Sequence, residues 1–71
     1  MTEKNYEEAR KELCLFLKNK AIEKGITYQV IADKTGLQQP NVSRMLNSHY
    51  SPSLDNFIKL ADAIGVKIKL N

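Results

Sequence analysis

Apolar residues Tyr6, Ala9, Leu13, Phe16, Leu17 and Ala21 recur at intervals of three and four, with no Gly or Pro between residues 6 and 24. This spacing predicts one long amphipathic helix. Lys4, Glu7, Glu8, Lys11, Glu12 and Lys18 form its solvated face, where Glu7 and Lys11 stand an i,i+4 pair apart. Asn5 followed by Glu8 reads as a capping box at the start, and Gly25 as the left-handed residue that ends the helix. Thr27 is a good N-cap for a second, short helix over 28–35, with Val30, Ile31 and Ala32 turned inward and Gly36 as its stop. A helix so short does not persist alone in water, so packing must hold it. A third helix is predicted over 38–47, with Pro40 in the first turn, where its missing N–H has no helical partner to lose. At 100° per residue, Val42, Met45 and Leu46 share one side of it. Pro40, Ser43, Arg44 and Asn47 point the other way, with Gln39 and Asn41 on the flanks. Ser53 then caps a fourth helix carrying Leu54, Phe57, Ile58, Ala61 and Ile64, which Gly65 terminates. Residues 66–70 alternate strictly between apolar and Lys, the pattern of a half-buried strand. Its partner would be another molecule; alternatively, its three apolar residues cover the end of the helical core.

The segment 26–47 thus holds two short helices joined by a tight turn, which forces the second to cross the first steeply. A close crossing demands a small residue at the contact. Ala32 supplies it, Gly36 supplies the turn, and Val42 plugs the angle between the helices. Between Leu37 and Leu54 there is no Asp or Glu, only Arg44 and His49 among amides and hydroxyls. A steeply presented helix with a polar, acid-free outer face is the geometry for entering a major groove of DNA.

Composition narrows the class. At 71 residues the chain is expected to be one domain, 1–71, of the all-α class with four to five helices and a possible short C-terminal strand. Net charge is +3, from 11 Lys and Arg against 8 Asp and Glu, with a pI near 9.1. That favours polyanions, far less strongly than a histone-like composition would. The neutral-polar site predicts few ionic phosphate contacts and a shallow salt dependence. Cys14 is the only cysteine, and with His49 it cannot make a tetrahedral zinc site, so neither a metal nor a cofactor is expected. The same lack of disulfides suits a reduced, cytoplasmic setting. No apolar run approaches a membrane span, and the N-terminal residues lack the apolar region of a secretory signal. No catalytic residues are assigned: nucleophile-base pairs, paired carboxylates and a phosphate-cradling glycine loop are all missing, so an enzyme is not expected.

Residues 25–45 (GITYQVIADKTGLQQPNVSRM), followed by Pro52-Ser53-Leu54 and residues 60–66 (LADAIGV), resemble the Cro/cI-type helix-turn-helix family, also called the xenobiotic-response-element family. The resemblance runs over about residues 13–66, with the motif at 27–47. It rests on Ala32, Gly36 and Val42 at the signature spacings, together with the downstream proline and the 60–66 segment. It implies a compact, lambda-repressor-like helical domain that binds operator DNA, usually as a homodimer on inverted half-sites about one turn (~34 Å) apart. Two departures stand out. Many members pair a buried Arg of the first helix with a Glu at the end of the recognition helix, and the corresponding positions here are Ala21 and Leu46. Losing both partners together leaves an apolar contact rather than a lone buried charge. The tail 66–71 replaces the usual fifth helix and is similar to members that act as antitoxins.

Carried over residue by residue, the resemblance makes 38–47 the recognition helix. Gln38, Gln39, Pro40, Asn41, Ser43 and Arg44 are then the expected base-contacting residues. Glutamine at 39 suits adenine N6 and N7, and Arg44 either reads guanine O6 and N7 or holds a phosphate. Pro40 offers apolar contact to a thymine methyl. Thr27, Tyr28 and Gln29 match positions that grip the DNA backbone, and Asn47, Ser48, His49 and Tyr50 form a second candidate clamp. Tyr28 has an alternative role as a packing aromatic over the first helix. The expected function is a sequence-specific transcriptional regulator of double-stranded DNA. Its rivals are an antitoxin that also binds a toxin protein, and a protein-interaction adaptor without DNA binding.

Overall fold

The computed structural model describes residues 3–68. Four helices follow one another: α1 (Glu3–Lys24), α2 (Tyr28–Thr35), α3 (Gln39–Leu46) and α4 (Leu54–Ile64). Helix α2 packs on α3 and α4, and α1 lies across α3 and α4. Local chemistry sets most of the boundaries. The Thr27 hydroxyl accepts from the Val30 N–H at 3.2 Å, and that of Ser53 from the Asn56 N–H at 3.1 Å, each relieving an unpaired donor of a first helical turn. At the far end of α2 the backbone turns at Gly36 with φ +79°, a conformation that costs an L side chain strain. Thr35 stitches that turn, its hydroxyl donating to the Ile31 carbonyl at 2.8 Å and accepting from the Leu37 N–H at 3.2 Å. Helix α1 ends in a Schellman pair, Gly25 N–H to Ile22 O and Ile26 N–H to Ala21 O.

One core joins all four helices. Leu17 and Ala21 of α1, Ile31 and Ala32 of α2, Val42, Met45 and Leu46 of α3, and Leu60, Ala61, Ala63 and Ile64 of α4 are buried together. Ala32 and Val42, expected at the crossing of α2 and α3, are both buried in this core. Ala21 and Leu46 share the same core, and among the described residues it holds no buried charge. Both positions are apolar and buried here, so no lone charge is left in the core.

Several expectations are corrected. Helix α1 begins at Glu3, so Asn5 lies within it and is not its cap; Glu3 and Lys4 are helix formers that carry the helix upstream. Its buried stripe is Cys14, Leu17 and Ala21, while Tyr6, Leu13 and Phe16 are exposed. The reason lies in the unbroken apolar run 13–17, which wraps all round a helix and cannot face a single core. Glu7 and Lys11 make no ion pair; among the described residues the pair formed is Lys20–Glu23 at 3.5 Å. Val30 points outward at 39% exposure, and Leu54 and Ile58 of α4 are exposed, since the small core is filled by Ile31, Leu60 and Ile64. Residues 66–68 follow α4 without forming a strand, with no second strand among the described residues to pair with. The remainder of the predicted strand, 69–70, lies outside the described residues, as does residue 71.

Candidate nucleic-acid interface

Helix α3 is short and well registered. Val42, Met45 and Leu46 are buried on one side, which commits the opposite side to solvent. Its boundaries fall at Gln39 and Leu46, one residue inside the expected 38–47 at each end, because Gln38 and Asn47 are the flanking caps. Gln38 has extended backbone and makes no side-chain cap, so its amide is left facing water. Gln38, Gln39, Pro40 and Arg44 are exposed, and Asn41 and Ser43 are half-buried on the flanks. The first turn contains no acid, and Arg44 stands in the last.

A shallow concavity lined by Pro40, Ser43, Arg44, His49 and Tyr50 joins the outer face of α3 to the loop that follows. The structure thus brings His49 and Tyr50 of the second candidate clamp beside Arg44. That loop turns at Ser48, which has φ +62°, and the His49 N–H returns to the Arg44 carbonyl at 2.9 Å. Ser48 is half-buried. Burial pushes the Cys14 thiol above its ordinary value, partly offset by the hydroxyl of Ser48 and by the charge of Arg10.

At the start of α2, Thr27 and Gln29 are exposed and Tyr28 is half-buried. Gln29 bonds Asp33 along its own helix at 2.9 Å. Tyr28 packs against the core, while its hydroxyl meets the side chain of Asn47. Asn47 sits at the centre of a polar cluster. Its Oδ1 accepts from Lys18 Nζ at 2.6 Å, and its Nδ2 donates to the Ser43 carbonyl at 2.8 Å and to the Tyr28 hydroxyl at 3.2 Å. Periodicity places Lys18 on the solvated face of α1. It is instead half-buried and tied to α3, a contact between residues 29 apart that no local spacing could reveal.

Comparison with known proteins agrees with this geometry. A helix-turn-helix family model matches residues 17–70, well over half of the chain. The chain belongs to the Cro/cI-type helix-turn-helix family. No curated protein and no solved structure matches it significantly. Membership in this family makes it a DNA-binding regulator of the xenobiotic-response-element type, and the helix-turn-helix is a binding fold rather than a catalytic one. No helix of the described residues is long and apolar enough to cross a membrane.

Proposed function

We propose that the protein is a sequence-specific transcriptional regulator that reads the major groove with α3. The observation carrying this reading is the outer face of α3, where exposed Gln38, Gln39, Pro40 and Arg44 form a polar surface without a carboxylate. Gln39 is the adenine reader, and Arg44 contacts guanine or an adjacent phosphate. Thr27, Tyr28 and Gln29 on one flank, and His49 and Tyr50 on the other, hold the sugar-phosphate backbone. Two copies bind inverted half-sites about one helical turn apart. With Arg44 the main cation of the face, binding falls shallowly with salt.

Site selection from a random double-stranded DNA pool at near-physiological salt tests this, with the Gln39→Ala/Arg44→Ala variant run beside the wild type. An inverted-repeat motif that the variant loses is the expected result. No enrichment by a folded wild-type sample would overturn it.

A second reading has its own support. Tyr6, Ala9, Leu13, Pro52, Leu54 and Phe57 line an apolar groove between α1 and α4, with Leu54 as much as 73% exposed. Such a surface suits a regulator that also binds a protein, as an antitoxin binds its toxin. Co-purification of a small partner with the wild type and its loss in Leu13→Glu would favour that reading.

A further inference from the structure

Among the described residues Asn47 is the one side chain that joins α1, α2 and α3 through polar contacts, and its neighbours dictate which way its amide faces. Lys18 has only protons to give, so the amide oxygen must face it; the Ser43 carbonyl can only accept, so the amide nitrogen must face that. Both demands select the same orientation. The second amide hydrogen then falls to the Tyr28 hydroxyl, whose oxygen acts as acceptor at 3.2 Å. A phenol that accepts still has its own proton to donate. Among the described residues no acceptor receives that proton. The chain of donors therefore runs from Lys18 through Asn47 to Tyr28 and ends on an unspent O–H, beside the exposed Thr27 and Gln29 at the start of α2.

On the DNA-binding reading above, we propose that Lys18 is a positioning residue for backbone binding: through Asn47 it holds the Tyr28 hydroxyl as a donor to a phosphate oxygen. The acceptor on DNA is an oxygen that carries negative charge and has no proton, so a donor held in advance gains a charge-assisted bond without reorienting. Lys18 contributes through the geometry of Asn47 and not by neutralising a phosphate. Ionic contact would show in the salt dependence, whereas a neutral phenol donor does not release a counterion.

The test uses the duplex enriched in the site selection, with single phosphates replaced in turn by neutral methylphosphonate. Wild type, Lys18→Met, Tyr28→Phe and the double variant are titrated against it across a salt series. Tyr28→Phe keeps the ring in the core, so it folds even where Lys18→Met does not, and thermal melts identify any variant that fails. Each single variant is expected to weaken binding roughly tenfold. The double variant should bind no more weakly than either single one, and the salt slope of Lys18→Met should equal that of the wild type. One methylphosphonate should reduce wild-type affinity while leaving Tyr28→Phe almost unaffected. Additive losses, or a slope reduced by about 0.9 in Lys18→Met, would overturn the relay and make Lys18 a direct phosphate contact. Absence of any methylphosphonate position that distinguishes Tyr28→Phe from wild type would overturn it even if Lys18→Met fails to fold. If the wild type enriches no duplex, the DNA-reading proposal falls and the relay falls with it; enrichment without coupling removes the relay alone.

Discussion

Helices α1 and α3 meet the same core in opposite ways. In its eight residues α3 buries Val42, Met45 and Leu46 completely and turns a polar face outward, so each side has one environment. Helix α1 is far longer, yet Cys14, Leu17 and Ala21 supply its buried stripe while Tyr6, Leu13, Leu15, Phe16 and Ile22 stand in solvent. A small core has room for one stripe of a long helix, and the remaining apolar residues are surplus to it. Helix α3 is too short to persist without tertiary packing, and Val42, Met45 and Leu46 are all spent on the core.

The largest expected effect separates the two helices directly. Leu46→Ala removes a fully buried side chain from α3 and should cost about 2–5 kcal/mol in urea unfolding. Leu15→Ala, the same chemical change at an exposed site of α1, should stay within about 0.5 kcal/mol. Equal losses would mean that the outer face of α1 is covered in solution, and the contrast would fail.

A smaller effect probes how α1 is anchored at its C-terminal end. Lys24 donates to the carbonyls of Ile64 at 3.0 Å and Gly65 at 3.3 Å, tying α1 to the end of α4. Gly65 has φ +88°, and a Cβ there would lie 2.8 Å from Lys24 Nζ. Gly36 has φ +79° with open space around its own missing Cβ. Gly36→Ala should therefore cost only backbone strain, about 1–2 kcal/mol. Gly65→Ala should cost more, because it also dislodges Lys24. Repeating both substitutions in a Lys24→Met background should abolish the difference, as read by thermal melts.

The smallest effect sharpens the view of α1's buried stripe. Burial raises the Cys14 thiol above its ordinary 9.0, so the folded state keeps that proton to higher pH than the unfolded chain. At neutral pH both states are protonated and ionisation of the thiol has no influence on stability. As pH rises through 9, the unfolded thiol ionises first and stability falls. The alkaline slope of the unfolding free energy should be steeper for wild type than for Cys14→Ala. A thiol that alkylates as fast in the folded protein as in urea would show that this part of α1 is not buried.

The parts of the fold that could be read from sequence were those fixed by short-range chemistry. Thr27 and Ser53 cap because their hydroxyls reach an N–H three residues on, and Gly36 turns the chain because its φ is positive. The inward positions of α3 follow from 3.6 residues per turn in a helix too short to drift. These local rules, with Ala32 and Val42 at the crossing, determined the helix-turn-helix and the residues offered on its outer face. Selection between competing apolar residues was a different matter. Residues 13–17 present apolar groups all round α1, and only the space left by α3 and α4 decided that Cys14 and Leu17 would enter. Val30 and Leu54 were left outside for the same reason, since volume in a shared core is allotted globally. The link from Lys18 to Asn47 spans 29 residues and exists because α1 lies across α3. Periodicity places a residue on a face of its own helix; what that face meets is decided by the packing of the other helices.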